Sequence, residues 1–351
     1  MKNKLYKKVI ALTVCLAMLI PLCACGDTKE QKQVFAMDTV MTLTAYGKNA
    51  KSGLDAAAGV INSLNTLLDP EVENSAAYQL NHADGQNVIV TPQVAEILTT
   101  ALKVCKQSGG ALDLSVYPLY LAWGEFDSEK GRVPSSNEIK SLLTNVRFSE
   151  TSITEFSGES NYSVRMPAGT QISFGAAAKG YASDRAIEAM RNAGVESGIV
   201  SLGGNVQTLG LKPDGSKWTV AVEDPNDTGS YVGTLKVGET AVVTSGNYQR
   251  YFIGSDGVKY HHLIDPSTGE PANNGLVSVT VVCEDGTMAD CLSTAMFVLG
   301  VNGALNYWRN YGGFDMVMIT DENEVICTSG LVEVFELTNT KDYTFKFTEY
   351  G

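Results

Sequence analysis

The order of secondary-structure signals along the chain is the feature that most limits its fold. Amphipathic periodicity typical of helices occurs at about 52–68, 91–108 and 178–192. From residue 199 to residue 328, short β-branched runs follow one another, and one helical segment at about 287–299 interrupts them. Strands that cluster late in a chain are typical of α+β folds, whereas a doubly wound parallel sheet alternates strands with helices. We therefore expect an α+β fold with mainly antiparallel sheets and flanking helices.

A single two-lobed domain is expected from the length of the chain and the continuity of its pattern. The chain has 351 residues, of which 44% are hydrophobic, and this is enough for one large core. Neither a stretch of linker composition nor a fixed-period repeat divides the sequence.

The first 24 residues have the composition of an export signal. Four lysines precede an uncharged apolar run, Val9 to Leu22, which is shorter than the roughly 20 residues that a membrane-spanning helix needs. The run ends in Leu22-Cys23-Ala24-Cys25, which resembles a bacterial lipobox with Cys25 as the lipidated first residue. The alternative is an ordinary secretory peptide with incidental cysteines. The lipoprotein interpretation predicts a signal peptide (1–24), a tether (25–33) and a domain (34–351). A lipid anchor alone would then hold the protein at the extracytoplasmic face of the bacterial cell membrane.

The charge balance argues against nucleic acid as a partner. The chain carries a net charge of −13, and its leader contributes only basic charges, so the exported part is more acidic still. Binding to a phosphate backbone needs a basic surface, which this composition does not offer.

Four cysteines remain in the domain, and none of them has metal-ligand spacing. They are either small buried hydrophobes or, outside the cytoplasm, disulfide partners, and spacing does not decide between the two. These residues are Cys105, Cys283, Cys291 and Cys327.

The first segment with chemical character is Gly-Ala-Ala-Ala-Lys-Gly-Tyr-Ala at 175–182. Small residues before a helix let a ligand approach the backbone, and amides at a helix N-terminus attract phosphate. Lys179 adds a mobile positive charge. The alternative is a tight turn between a strand and a helix, packed on alanine.

The second such segment lies on the helix expected near 287–299. Asp290 and Thr294 are four residues apart, so their side chains share one helix face. A carboxylate and a hydroxyl are hard oxygen ligands that suit Mg²⁺. The alternative is a capping aspartate beside a threonine that bonds back to the main chain.

Two of the three histidines of the chain lie in a third segment, His261 to Gly269. Its Asp265-Pro266-Ser267-Thr268-Gly269 sequence is typical of a turn. A histidine beside such a turn could act as a general base or as a ligand.

Seven short segments in this order resemble the FAD:protein FMN transferase (ApbE-like) family. The family patterns are M-G-T-x-M, G-A-F-D-x-T-V-x-P-L, D-x-G-G-x-A-K-G-Y-A-x-D, G-G-[ND], T-S-G-x-Y, H-x-I-D-P-x-T-G and A-D-A-L-A-T-A. They correspond here to residues 37–41, 110–119, 173–184, 203–205, 244–248, 262–269 and 289–295. The resemblance extends from about Val34 to Ile326, and lipoprotein leaders are also common in the family.

The resemblance implies a specific set of site residues. An FAD site between the lobes would be lined by Met37, Ala111, Leu112, Asp113, Ser173, Lys179 and Ile264, with Ser293 beside the ligand. Mg²⁺ would be held by the backbone carbonyl of Ala176 together with Asp290 and Thr294. His262 matches the family histidine, because it lies three residues before Asp265.

Four positions depart from the family pattern, and all concern the flavin side of the site. Ser173 stands where an aspartate is usual, and Leu68 stands where an aromatic residue is expected before Asp69-Pro70. Asp38 replaces a small residue, and Leu112 replaces phenylalanine. The departures bear on FAD affinity and pose, since the expected metal ligands and Lys179 are intact.

The resemblance implies a Mg²⁺-dependent transfer of FMN from FAD to a Thr or Ser hydroxyl of another protein, with release of AMP. His262 is the candidate base, with Asp265 orienting it or itself accepting the proton, and Lys179 adds positive charge at the phosphates. The usual acceptor motif, D-G-x-[ST]-G-A-T, is not found in this chain, so the target is expected to be another protein. The resemblance implies that this acceptor is an extracytoplasmic redox protein. Two alternatives stay open: an FAD pyrophosphatase that gives FMN and AMP, and a non-catalytic flavin-binding lipoprotein.

Overall fold

The structure is a computed structural model that describes residues 28–124, 126, 130–156 and 161–348. Cys25, the expected lipidation site, lies outside the described residues, as does the signal peptide. Seven α-helices occur in these ranges: α1 (Ala50–Leu68), α2 (Ala76–Asn81), α3 (Pro92–Gln107), α4 (Tyr117–Trp123), α5 (Ser136–Leu143), α6 (Ala178–Asn192) and α7 (Gly286–Tyr311). Short 3₁₀ helices lie at Leu114–Val116, Phe148–Glu150 and Ser329–Leu331.

Seventeen strands account for most of the remaining regular structure in the described ranges. They are β1 (Lys29–Ala36), β2 (Thr39–Tyr46), β3 (Asn87–Val90), β4 (Ser152–Glu155), β5 (Tyr162–Arg165), β6 (Ser197–Leu202), β7 (Asn205–Leu209), β8 (Trp218–Glu223), β9 (Tyr231–Val237), β10 (Ala241–Gly246), β11 (Tyr251–Ile253), β12 (Lys259–His261), β13 (Leu276–Cys283), β14 (Asp315–Thr320), β15 (Glu324–Thr328), β16 (Phe335–Leu337) and β17 (Thr344–Thr348).

A nine-stranded sheet organises the fold, in the order β1-β2-β6-β7-β10-β13-β14-β15-β17. Its neighbouring strands pair antiparallel except β15 and β17, which run parallel. Smaller sheets are formed by β16-β9-β8, by β3-β5-β4 and by the β11-β12 hairpin. The predicted α+β class with mainly antiparallel sheets is therefore confirmed.

Helices cover one face of the large sheet, and a small sheet covers the other. The main core joins α1, α3, α6 and α7 to the strands through buried residues such as Leu43, Ile61 and Phe297. On the opposite face, Trp218 and Leu235 of β8 and β9 pack with residues of β14 and β15. α6 lies against both α1 and α7, so the N-terminal ends of α6 and α7 are fixed relative to one another by the core.

The strand predicted from Val34 to Tyr46 is a β-hairpin in the structure. A two-residue turn at Met37 and Asp38 joins β1 to β2, and both residues have positive φ (50° and 57°), as in a type I′ turn. Residues 29–33, which were expected in the tether, belong to β1. That strand is at the edge of the sheet, where polar residues face solvent, and so its composition resembles that of a linker.

The helix predicted at 287–299 continues to Tyr311 as α7, with a break at Gly300 (φ 68°, ψ 175°). By length and composition α7 could cross a membrane, but most of its residues are buried inside the fold. It is a core helix, and its apolar character reflects contact with β10 and β13.

The four cysteines of the described domain are buried and free, so none of them forms a disulfide. The interpretation of these residues as small buried hydrophobes is the one that the structure supports. Burial also raises the pKa of the Cys105 thiol to about 12.

Candidate active site

The N-terminus of α6 leaves a backbone carbonyl without a hydrogen-bond partner. Ala177 is the N-cap of α6, so Ala176 lies just before the helix and the Gly180 amide is one of the first-turn amides without a helical partner. The Gly180 amide donates to Asp290 Oδ2 on α7, over 2.9 Å. The Ala176 carbonyl accepts no hydrogen bond within the described part of the chain, and an oxygen of this kind is available to a cation.

Asp290 places its second carboxylate oxygen beside a positive charge. The residue is only 4% exposed, and Oδ1 lies 3.9 Å from Lys179 Nζ. Lys179 Nζ also donates to the Gly175 carbonyl at 3.4 Å. The lysine and the carboxylate predicted from separate segments are therefore neighbours at the meeting point of α6 and α7.

Thr294 follows Asp290 by one helical turn and lies near a group of hydroxyls. The Ser245 hydroxyl is 2.8 Å from that of Ser293 and 3.4 Å from that of Thr294. Ser293 also donates to the main-chain carbonyl of Asp290 at 3.0 Å. Ser245 belongs to the 244–248 segment of the family pattern, and this contact gives that segment a physical role.

The donor set fits Mg²⁺. The Asp290 carboxylate, the Thr294 hydroxyl and the unpartnered Ala176 carbonyl are all hard oxygen donors. Mg²⁺ prefers six oxygens and commonly takes only one or two protein carboxylates, with phosphate and water completing the shell. The described residues contain no cluster of three or more His, Cys, Asp or Glu side chains that could form an all-protein site. The arrangement is therefore suited to a cation that arrives with a phosphate ligand.

The same helix terminus also offers donors for a phosphate. The main-chain amides of Ala176 and Lys179 make no hydrogen bond among the described residues. Together with Lys179 Nζ they provide amide donors and a positive charge at the start of α6, where the helix dipole favours anions. Cation ligands and anion ligands thus lie side by side, as a metal-bound pyrophosphate requires.

His262 is held in the neutral state with one ring nitrogen available. Its Nδ1 lies 3.3 Å from the carbonyl oxygen of Arg250, which accepts only if Nδ1 carries the proton. Nε2 then carries the lone pair, and it has no hydrogen-bond partner in the described ranges. Burial, followed by the positive charge of Arg250, lowers the pKa of His262 to about 3, and Lys179 contributes in the same direction. At neutral pH the ring is therefore uncharged and has a lone pair that can accept a proton, but so low a pKa makes it a weak base.

His261 has a structural role. Its Nε2 bonds to the Ala272 carbonyl at 2.9 Å, and its Nδ1 accepts from the Leu263 amide at 3.2 Å. Both ring nitrogens are used, so the choice of His262 over His261 agrees with the geometry.

Asp265 does not orient His262 in this structure. Its Oδ1 accepts from the amide and the hydroxyl of Ser267 at 2.8 and 2.7 Å. No hydrogen bond joins it to His262 among the described residues. The expected orienting role therefore passes to the Arg250 carbonyl, because the aspartate is used to form its own turn.

The residues expected around the flavin fall into two groups. Leu112 and Ile264 are buried, at 1% and 5% exposure, in the main core and in a small aromatic cluster near α4. Asp113 caps the 3₁₀ helix Leu114–Val116 by accepting from the Ser115 amide at 2.8 Å. Burial raises the pKa of this carboxyl group. The side chains of these three residues are therefore buried in the interior.

Ser293 is also fully buried, whereas Met37, Ser173 and Lys179 are partly exposed, and Ser173 makes two connections near the start of α6. The Ser173 amide donates to the Leu114 carbonyl at 3.2 Å, and this links the 110–119 segment to the approach to α6. The Ser173 hydroxyl accepts from the Gly175 amide at 3.2 Å. Ala111 is also partly exposed.

The hairpin that carries Met37 is fastened at its turn. The Met37 amide donates to Asn65 Oδ1 at 2.6 Å, and Arg250 donates to the Asp38 carbonyl at 3.2 Å. Since the Arg250 carbonyl also contacts His262, one residue joins the turn of the hairpin to the candidate base.

Sequence reasoning assigned no role to Ser245, Arg250 or Asp184, all of which make contacts at this site. Asp184 accepts from the Gly286 and Thr287 amides at the start of α7, each over 2.8 Å. Asp184 follows Gly180 by four residues, as Asp290 follows Gly286. This repeated spacing is the signal that could have identified Asp184.

Comparisons with known proteins agree with these observations. The model of the ApbE family matches residues 37–318. A curated FAD:protein FMN transferase of Treponema pallidum is 30% identical over 344 residues, which cover 92% of this chain and 94% of that protein. One from Klebsiella pneumoniae is 32% identical over 272 residues, covering 77% of this chain and 83% of that protein.

Solved structures of similar proteins share the fold. The ApbE protein of Thermotoga maritima superposes with a TM-score of 0.76 at 28% identity, over 89% of this chain and 98% of that one. The Pseudomonas stutzeri flavinyl transferase ApbE, in its apo form, gives a TM-score of 0.73 at 28% identity, over 90% and 96% of the two chains.

Proposed function

The chain belongs to the ApbE family, and we infer that it is an FAD:protein FMN transferase, the activity for which its curated relatives are named. It takes FAD as substrate and attaches FMN to a second protein. The observation that carries this proposal is the junction of α6 and α7, where the Asp290 carboxylate caps α6 beside Lys179 and the unpartnered carbonyl of Ala176 precedes the same helix.

Magnesium dependence is part of the proposal. Ala176, Asp290 and Thr294 would hold Mg²⁺ through their three oxygens, and the remaining ligands would come from the substrate and water. The ion would supply Lewis-acid stabilisation of the charge on the pyrophosphate oxygens.

The transfer itself depends on residues that position the substrate and remove one proton. The start of α6 and Lys179 bind the pyrophosphate and orient the phosphorus on the FMN side. His262 Nε2 accepts the proton of the acceptor hydroxyl as that oxygen bonds to this phosphorus. The bond between the phosphorus and the AMP oxygen breaks, AMP leaves, and FMN stays attached through a phosphoester.

Water in place of the acceptor hydroxyl would give FMN and AMP. Leu68 stands where an aromatic residue is expected and is buried in the main core, so a side chain that could stack on the flavin is missing at this position. This departure concerns flavin binding and does not favour hydrolysis over transfer.

One assay separates the three functions. The domain is incubated with FAD, Mg²⁺ and a membrane fraction that contains candidate acceptors. A transferase gives a fluorescent protein band that survives denaturation, together with one AMP per label. A pyrophosphatase gives free FMN and AMP without acceptor, and a flavin-binding protein gives unchanged FAD. Either of the last two results would contradict the proposal.

The acceptor and the location follow from the export signal. We propose that Cys25 carries a lipid that holds the domain at the outer face of the membrane, near an extracytoplasmic redox protein with a Thr or Ser acceptor. Cys25→Ser should release the protein from the membrane fraction or leave it as a precursor, as judged by fractionation and mass spectrometry. Unchanged retention would refute the anchor without affecting the proposed reaction.

A further inference from the structure

The helices α6 and α7 begin with the same spacing of residues. In α6, Gly180 precedes Asp184 by four positions, and in α7, Gly286 precedes Asp290 by four. Each glycine lies in the first turn of its helix, and each aspartate lies one turn later on the same face. The two helices also pack directly on one another.

Each helix caps the N-terminus of the other through its aspartate. Asp290 of α7 accepts from the Gly180 amide at 2.9 Å. Asp184 of α6 accepts from the Gly286 amide through Oδ1 and from the Thr287 amide through Oδ2, each over 2.8 Å. The Thr287 hydroxyl adds a third bond to Asp184, of 2.7 Å. First-turn amides have no partner within their own helix, so a carboxylate supplied from outside satisfies them.

The glycines allow this exchange because they leave room for the backbones to approach. A Cβ atom on Gly180 would overlap the Gly286 carbonyl oxygen and lie 2.7 Å from Asp290 Cβ. A Cβ atom on Gly286 would lie 2.8 Å from Asp184 Oδ1. Asp184 is fixed further by Gln207, whose Nε2 donates to its Oδ1 at 2.9 Å.

We propose that Asp184 is a positioning residue for the cation site. By holding the start of α7 against α6, Asp184 fixes the position of the Asp290 carboxylate relative to the Gly180 amide. Asp290 Oδ2 is then used as a cap for the Gly180 amide, and Oδ1 is left for the cation. This inference rests on the proposed function, since it concerns how tightly that site binds Mg²⁺.

A matched pair of variants separates positioning from simple helix stability. Asp184→Asn keeps the shape of the side chain but replaces an acceptor oxygen by an NH₂ group that faces an amide donor. Asp285→Ala is the control, because Asp285 is the local N-cap of the same helix and accepts from the Met288 amide at 2.8 Å, so its loss weakens the helix without touching Asp184. Both variants remove one negative charge at the start of α7.

The measurement is the Mg²⁺ concentration that half-saturates FAD binding, followed by flavin fluorescence, with thermal unfolding of each protein recorded in parallel. We expect Asp184→Asn to raise this concentration at least tenfold, as is typical when a residue supporting a metal ligand is lost. Transfer at saturating Mg²⁺ should stay near the wild-type rate. Asp285→Ala should lower the unfolding temperature through the lost cap and change the Mg²⁺ requirement less than twofold.

Two results would overturn the inference: an unchanged Mg²⁺ requirement in Asp184→Asn, or an equal shift in Asp285→Ala at the same loss of stability. If Asp184→Asn does not fold, Thr287→Val is tested in its place. This variant deletes the hydroxyl bond, one of the three that join Asp184 to α7, and keeps the carboxylate. Its Mg²⁺ requirement should rise about threefold, and an unchanged value would also contradict the inference. Absence of any Mg²⁺ effect in the wild type would instead remove the metal part of the proposed function.

Discussion

Asp290 Oδ2 accepts the hydrogen bond of the Gly180 amide at 2.9 Å, so one carboxylate both caps α6 and faces the expected cation. The two roles use different oxygens, because Oδ1 is directed toward Lys179. A substitution at this residue therefore changes the local fold and the chemistry together, unless it preserves an acceptor for the amide.

Asp290→Ala should abolish transfer and also destabilise the domain by about 1 kcal/mol through the lost cap. Asp290→Asn should keep the capping bond through its amide oxygen, lose the negative charge, and lower transfer at least a hundredfold while the unfolding temperature changes little. Transfer is measured as AMP release and covalent flavin fluorescence. Thr294→Ala should show the milder defect, a raised Mg²⁺ requirement. Full activity of Asp290→Ala at low Mg²⁺ would refute the metal assignment.

The sequence predicts those parts of the fold that depend on periodicity and local capping. The Thr91-Pro92 start and the Gly109-Gly110 end define α3, which the structure has at Pro92–Gln107. The shared face of Asp290 and Thr294 follows from their spacing alone. Their meeting with Lys179 was implied by the family resemblance, since no local pattern indicates that α6 and α7 begin side by side.

Tertiary contacts explain what the sequence did not predict. The turn at Met37 and Asp38 lacks the usual Asn-Gly signal, and its positive φ values are supported by the bonds from Met37 to Asn65 and from Arg250 to Asp38. Asp38 departs from the small residue of the family, but aspartate tolerates the left-handed conformation better than most residues do. The short helices α2, α4 and α5 were also missed, because six to eight residues are too few for a clear period.

Gly180→Ala should be strongly destabilising. The added Cβ would overlap the backbone of Gly286, which cannot move without disturbing the start of α7. Overpacking of this kind typically costs 1–3 kcal/mol. The matched control is Gly59→Ala in α1, where a Cβ would meet nothing within 4 Å and should stabilise the helix by about 1 kcal/mol. Urea unfolding of both variants tests this, and similar stabilities would contradict the close approach of α6 and α7.

Acid should weaken the domain through its buried histidine, His261. Burial lowers the pKa of His261 to about 4 from its ordinary value of 6.5. As the pH falls, the unfolded chain therefore protonates this histidine before the folded protein does. The contribution of His261 to the free energy of unfolding is complete above pH 6.5 and is lost as the pH falls toward 4. Between pH 7 and pH 5 the free energy of unfolding falls by about 2 kcal/mol through this histidine.

The histidine contribution is separated from that of the carboxylates by comparison with His261→Gln. The His261→Gln protein should be less stable than the wild type at pH 7, but glutamine does not titrate. The difference between the two proteins in free energy of unfolding should therefore shrink by about 2 kcal/mol from pH 7 to pH 5. A difference that stays constant across this range would mean that the native protein protonates His261 as readily as the unfolded chain does.

Ser173 lies where the family carries an aspartate, and the structure shows what the serine still does. Its hydroxyl accepts from the Gly175 amide at 3.2 Å and so closes the turn that leads into α6. An aspartate can close the same turn with one oxygen, since Asx and Ser turns are equivalent in this respect. Its second oxygen would then offer the ligand a charged acceptor, whereas serine offers only one neutral hydroxyl.

Ser173→Asp should therefore bind FAD more tightly than the wild type. A charge-assisted hydrogen bond is roughly twice as strong as a neutral one, and a gain on the order of 1–2 kcal/mol corresponds to about tenfold in affinity. The control is Ser173→Asn. Asparagine has the same size as aspartate and can close the same turn, but it carries no charge, so the FAD affinity of this variant should rise less than threefold. Both are compared with the wild type by titration of FAD at fixed Mg²⁺, followed by flavin fluorescence. The Mg²⁺ requirement should be the same in all three proteins, because residue 173 is not among the expected metal ligands. Equal or weaker binding by Ser173→Asp would mean that the new carboxylate is repelled by the pyrophosphate and that the family contact does not transfer to this chain.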